Sequence, residues 1–237
     1  MKVVISQPFY LPWPGLFDQL RLADLFIHYD DVQLPQGRSF CTRVQLQEKH
    51  GISWLSVPII GQSRGLIHEA QIDNSQRWQV RHLSKIKNAL NHGPYYSDAE
   101  GLIQEILNYT PSSLAELNIS LVERISKYLG LSTPFLRASK LGVTSQSSER
   151  LLELCLLNKA TQYITGHGAK NYLDHELFEK NNIEIYYMNY QIQPYDRLLY
   201  GEFTPYVTIL DLIANTGPNA INHLQSATVP WRKFLNE

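Results

Sequence analysis

The spacing of apolar residues along the chain alternates between two periods. Lys2 to Ile5 form a short apolar run of strand type, and the proline-rich stretch SQPFYLPWPG ends it. Leu16, Phe17, Leu20 and Ala23 then recur at helical spacing over residues 16–23. DLFIHYDD follows, with Leu25, Phe26, Ile27 and Tyr29, and reads as a second strand. Strand, loop, helix and strand together have the length of a right-handed parallel βαβ unit. SWLSVP and a short stretch near Ile72 read as further strands, with GQSRG as a loop between them. From Trp78 to about Gly130 the pattern is helical and holds QVRHLSKIKNAL and SSLAELNISLVERISKYLG. His92, Gly93 and Pro94 break it. A strand returns near TPFLRAS, and SSERLLELCLLNKA is an amphipathic helix with a serine cap. TQYITG is a strand, HGAKNYLDHELFEKN a loop and helix, and IEIYYMNY another strand, which makes a second βαβ unit. VTILDLIANTG is a last long helix, stopped by Gly217 and Pro218. The pattern predicts an α/β fold, a three-layer Rossmann-like and mostly parallel sheet. Residues 1–237 form a single integrated unit in this reading, with about 78–130 a mostly helical insertion.

Composition narrows the class. Hydrophobic residues make up 43% and charged residues 18%, the balance of a globular chain with a real core. Formal net charge is −1, so no overall pull toward nucleic acid or an anionic membrane is visible. A transfer RNA partner is therefore not indicated by charge. No stretch approaches the ~18 apolar residues of a spanning helix, so no membrane insertion is expected. The start MKVVISQPF does not read as a signal peptide, and the two cysteines, Cys41 and Cys155, suit a reducing compartment. The expected location is the cytoplasm. The eight histidines show no HxH or HExxH spacing, so no metal site is expected. Aromatics reach 11%, with 14 tyrosines, which suits either a core or the walls of a sugar or base site.

Candidate chemistry follows from the predicted sheet. Open parallel sheets bind ligands beyond the carboxyl ends of their strands. The proline loop, Asp30 and Asp31, and GHGAK all follow predicted strands and converge on that edge. Gly166 and Gly168 flank His167 just before a helix, which suits either a tight turn or a backbone cradle for an anion, with Lys170 adding charge. His167 is a general base or ligand near neutral pH. Only one of Asp30 and Asp31 can face the site, because neighbours on a strand point opposite ways. Arg38 and Arg43 bracket RSFCTR and are either phosphate-binding forks or exposed charges. Cys41 between them is a weak nucleophile candidate. Trp78 and His82 share a helix face, either packing on the sheet or reaching the site. Arg150, in the first turn of its helix, opposes the helix dipole and needs either a carboxylate partner or solvent. The stretch QPFYLPWPG lacks the HxGH-type histidines of HUP-class nucleotidyltransferases.

These phrases resemble a known family. SQPFYLPWPGLFDQLRLADLFIHYDDVQ is similar to the opening of the WbqC-like family, whose pattern runs HQPxYLPWxGYFDKI, AD, a strand and DxVQ. The likeness continues through RSFCTR, SWLSVP, IDNSQRW, PYY, SERLLELC, YITGHGAKNYLD and GEFTPYVTILDLIANTG. It carries functional weight onto Gln7, Tyr10, Trp13, Asp31, Gln33, Arg38, Arg43, Trp78, His82, Arg150, Gly166, Gly168 and Tyr172. Two positions depart from it: Ser6 stands where the family commonly has histidine, and Leu16 where it has tyrosine.

The resemblance implies work on surface-glycan sugars. It implies a transferase that moves an acyl or aminoacyl group, such as glycyl, onto the amine of a nucleotide-linked amino sugar for O-antigen or lipopolysaccharide assembly. Such a reaction needs a base for the amine proton and donors for an oxyanion. With histidine absent at Ser6, His167 and His82 are the catalytic candidates. The GHGA backbone and Lys170 would hold the anion, Arg38 and Arg43 the nucleotide phosphates, and Asp31 and Gln33 a sugar hydroxyl or amine. Gln7, Tyr10, Trp13 and Tyr172 complete the expected substrate site. The donor is left open among a thioester, an aminoacyl-tRNA, and a free amino acid with ATP. Two other readings stand beside it: a non-catalytic sugar-nucleotide-binding accessory protein, and an ATP-dependent ligase with a HUP-like fold.

Overall fold

A computed structural model describes residues 1–37, 39–61, 65–109, 111–197 and 203–236. In chain order the elements are β1 (Lys2–Ser6), α1 (Pro14–Arg21), β2 (Leu25–His28), β3 (Arg43–Glu48), β4 (Gly51–Ser56), α2 (Trp78–Leu90), α3 (Tyr96–Asn108) and α4 (Leu114–Tyr128). They continue with β5 (Phe135–Arg137), α5 (Ser147–Leu157), β6 (Gln162–Thr165), α6 (His175–Lys180), β7 (Glu184–Asn189), α7 (Ile209–Thr216), β8 (Ala227–Pro230) and α8 (Trp231–Asn236).

Six strands form one sheet in the order β5-β2-β1-β6-β7-β8. All pairs are parallel except β7 with β8. The chain leaves β1 toward β2 and β5, and later returns on the other side of β1 with β6 and β7. Strand order therefore reverses between β1 and β6, and such a switch point opens a crevice at the carboxyl ends of the two strands.

Alternation along the strands fills both faces of the sheet. Val4 belongs to a large apolar cluster with Phe17 and Leu20 of α1, Leu117 and Leu121 of α4, and Ile209 and Ile213 of α7. Val3 and Ile5 join the opposite cluster, with Leu151, Leu154 and Cys155 of α5 and Phe178 of α6. Helices thus cover both faces and give the three layers that the sequence pattern predicts. The first cluster continues without a gap into α2 and α3 through Trp78, Ile86, Leu102 and Ile103.

Two local expectations are corrected, and two stretches add elements to the predicted set. Residues 43–48, to which the sequence pattern assigns no element, form β3, which pairs antiparallel with β4 in a hairpin apart from the main sheet. The stretch near Ile72 makes a single bridge to Ile59 and no strand. The serine cap expected on α5 does not form, since Gln146 holds the cap position with no side-chain bond. The last long helix forms at Ile209–Thr216. Gly217, at φ 57, ends it in a conformation that suits glycine, and a Cβ there would meet the Tyr95 ring at 2.4 Å. A 3₁₀ segment, β8 and α8 follow it.

Candidate functional site

A cleft of about 880 Å³ opens at the switch point. Ile5, Ser6 and Gln7 enter it from the end of β1, and Thr165, Gly166, His167 and Gly168 from the end of β6. Its walls are aromatic: Phe9, Trp13, Tyr29, Tyr163, Tyr172, Tyr190 and Tyr206 all contribute. Gln19 and Ser147 add polar groups, and no lysine or arginine lines it among the described residues.

The proline loop builds one wall. Trp13 precedes Pro14, which confines it to extended backbone, and φ −68, ψ 161 place it at the N-cap of α1. Its ring folds back over Gly15, where a Cβ would come within 2.3 Å of the indole. The ring then meets Tyr190 at 4.7 Å and Tyr206 at 5.7 Å between centroids. The loop is pinned from outside. Asn118, fully buried in α4, donates from Nδ2 to the carbonyls of Pro8 and Cys41, both at 2.8 Å. The Ile209 N–H donates to the Pro12 carbonyl at 2.9 Å, and the Tyr10 N–H to the Phe40 carbonyl at 3.0 Å.

The opposite wall is the turn after β6. It is a short 3₁₀ segment, His167–Asn171, and α6 starts only at His175. The glycines therefore do not open an α-helix, and the helix-dipole part of the expected anion cradle is missing. The first internal bond runs from Ala169 N–H to the Gly166 carbonyl at 3.2 Å, so the N–H groups of His167 and Gly168 lie ahead of it. His167 is exposed, and its Nε2 contacts the Met188 carbonyl oxygen at 2.6 Å. A carbonyl only accepts, so Nε2 carries the proton and neutral His167 keeps the Nδ1 lone pair. Tyr190 and Phe234 flank the ring at 5.2 and 4.9 Å.

The structure separates the expected site residues. Gln7, Trp13, Gly166, His167, Gly168 and Tyr172 line the one cleft. Tyr10 and His82 do not. Tyr10 is fully buried and its hydroxyl meets His82 Nδ1 at 2.9 Å, with Trp78 edge-on at 6.2 Å. Burial drives the Tyr10 hydroxyl well above its usual range and lowers His82 to about 4. Lys170 is exposed, with its ammonium 5.6 Å from the Phe234 ring. Gln33 is exposed and bridges to Leu66. Arg43 stacks over Trp54 at 3.9 Å on the hairpin. Arg38 lies outside the described residues.

Asp31 and Arg150 find each other at 2.5 Å beside the cleft, with the Arg150 guanidinium 5.7 Å from the Tyr29 ring. Burial raises the Asp31 carboxyl and Arg150 opposes that rise. The Arg150 guanidinium does not deprotonate in proteins, so it sets a permanent positive charge against the Asp31 carboxyl. Asp30 turns the other way and is buried, accepting from the Ser139 N–H at 3.0 Å and its hydroxyl at 2.8 Å. Cys41 is buried with its thiol pushed up to about 12, which removes it as a nucleophile; it donates to Gln7 Oε1 at 3.6 Å.

A family model described as the WbqC-like protein family matches residues 7–223. The chain belongs to that family. It is also 31% identical over 229 residues to an uncharacterized protein of Mycobacterium tuberculosis, covering 94% of this chain and 97% of that one. No solved structure matches it. The WbqC-like match starts one residue after Ser6 and stops before β8 and α8. Phe234, which packs on His167, therefore stands outside the matched region.

Tyr29, Tyr190 and Tyr206, Gln19 and Ser147 went unseen as site residues. Tyr29 and Tyr190 each follow a strand directly, at the ends of β2 and β7, so the edge rule that found the proline loop reaches them too. Gln19 and Tyr206 carry no such signal.

Proposed function

We propose that the protein transfers an acyl or aminoacyl group to the amine of a nucleotide-linked amino sugar in surface-glycan assembly, the class of reaction that the family resemblance implies. One observation carries the chemistry: His167 holds its Nε2 proton on the Met188 carbonyl and keeps the Nδ1 lone pair, at the edge of an aromatic-walled cleft. The sugar amine attacks the activated carbonyl carbon, and a C–N bond forms. His167 Nδ1 takes the proton that the amine sheds. The N–H groups of His167 and Gly168 serve the oxyanion. Its collapse breaks the bond to the leaving group, which takes the proton from His167.

The lining favours a neutral sugar and base inside the cleft, stacked on Trp13 and Tyr190, with Gln7, Gln19 and Thr165 available to hydroxyls. With no cation among the described lining residues, the phosphates lie toward the opening. Incubation with a panel of nucleotide amino sugars and acyl donors, followed by mass spectrometry, tests the proposal. A product heavier by one acyl group is expected. Tight binding of a sugar nucleotide with no product from any donor overturns it and supports an accessory binding protein, the reading that Ser6 motivates. Turnover only with ATP and a free amino acid makes the protein a ligase.

A further inference from the structure

Beside the cleft lies a second cavity of about 390 Å³, within the size range of small-molecule pockets. It shares Phe9, Trp13 and Tyr206 with the cleft, and Pro12, Phe40 and Val44 complete its apolar walls. Its polar lining is limited. The Tyr10 hydroxyl is already engaged by His82 at 2.9 Å, which leaves the Gln45 amide and the Tyr206 hydroxyl at the rim. No charged side chain lines it among the described residues. Two large rings stand exposed at its mouth, Phe40 at 53% and Tyr206 at 64%.

Such a chamber selects by polarity. A nucleobase or sugar placed there loses hydration from donors and acceptors that the walls cannot replace. A phosphate or carboxylate fares worse. A hydrocarbon chain loses nothing and buries its surface against five aromatic rings and Val44. The shared wall also fixes the relation between the chambers: Trp13 borders both the apolar one and the larger cleft.

We propose that this chamber receives the hydrocarbon part of the acyl donor, so that the transferred group is a straight apolar acyl chain and not a glycyl unit. The inference rests on the acyl-transfer reading for the identity of the chain's carrier alone. Titration calorimetry with S-alkyl thioethers of N-acetylcysteamine, ethyl to decyl, reads the chamber without any turnover. Affinity is expected to rise about fourfold per added methylene until the chamber is full, then level off. Gln45→Trp fills the chamber from its rim and is expected to flatten the series. Phe40→Ala alters an exposed ring that the fold does not need and is expected to weaken the longest chains several-fold. Uridine diphosphate binding is expected to stay unchanged in both variants.

An affinity independent of chain length overturns the proposal, as does an unaltered series in Gln45→Trp with native circular dichroism. A chain-length series without product in the sugar assay leaves the chamber standing and removes the transferase reading. Product formation with no preference for chain length removes the chamber alone.

Discussion

Of the histidines that lie among aromatic rings in this molecule, His82 and His167 occupy opposite settings. His82 faces inward from α2, 5% exposed, held between Tyr10 and Trp78. His167 sits on an exposed turn between Tyr190 and Phe234, with one nitrogen anchored to the backbone. Both have rings for neighbours and a backbone partner, Ser56 for His82 and Met188 for His167, and His82 also meets the Tyr10 hydroxyl. The difference is access: His82 is buried and His167 is exposed. His82 completes a hydrogen bond that would otherwise leave a buried tyrosine hydroxyl unpaired. His167 borders a cleft large enough for a ligand. Residue type alone does not separate the two settings; the partner of the second nitrogen and the access of the first do.

The comparison breaks most sharply in turnover. His167→Ala is expected to lower the rate of acyl transfer by roughly 10²–10⁴, while His82→Leu leaves the rate per folded molecule near wild type. Equal losses in both variants, measured by product formation, would remove the distinction.

Stability against pH comes next. Burial lowers His82 from its usual 6.5 to about 4, so the folded state stays neutral where the unfolded chain takes up a proton. Unfolding then binds a proton between those values, and stability falls as pH drops from about 6.5 toward about 4. The effect is on the order of 3 kcal/mol across that window, at about 1.4 kcal/mol per pH unit. His175 is lowered by burial and adds in the same direction. The difference between wild type and His82→Leu in urea unfolding isolates the His82 part, and parallel pH profiles would contradict it.

Tyr10→Phe strands the buried His82 Nδ1 and is expected to cost about 1–3 kcal/mol in urea unfolding, with turnover unchanged. A turnover loss without a stability loss would place Tyr10 in the site. The smallest effect is expected from Gly15→Ala. The added methyl displaces the Trp13 ring and weakens uridine diphosphate binding by about 1 kcal/mol, the scale of one ring contact, with stability of the sheet retained.

Much of this was legible in the chain. The alternation of VVI, FDQL and LFIH gives β1, α1 and β2 within two residues of the structure, because those elements face one sheet and one core. β6 and β7 follow for the same reason. The strand RVQLQE carries a weaker signal: Val44 and Leu46 alternate with Arg43, Gln45 and Gln47, but they are its only apolar residues. β8 is short, exposed or half-buried throughout and ends in proline, so it carries little pattern. The carboxyl-edge rule located the cleft but did not sort the side chains of the proline loop. Leu11 takes φ 43 between Tyr10 and Pro12, and the loop sends Tyr10 into the core while Trp13 reaches the cleft. A turn of that kind has no periodicity from which inside and outside can be read. Arg150 is the instructive success. A cation in a helix's first turn left a carboxylate partner or solvent open, and Asp31, more than a hundred residues earlier, is the partner.

The account stands or falls on which histidine meets the ligand. Side-chain NMR of the assigned histidines during titration with uridine diphosphate tests this directly. His167 signals are predicted to shift saturably with ligand while those of His82 stay in place. Movement of His82 without His167, or of neither at saturation, contradicts the site described for this protein.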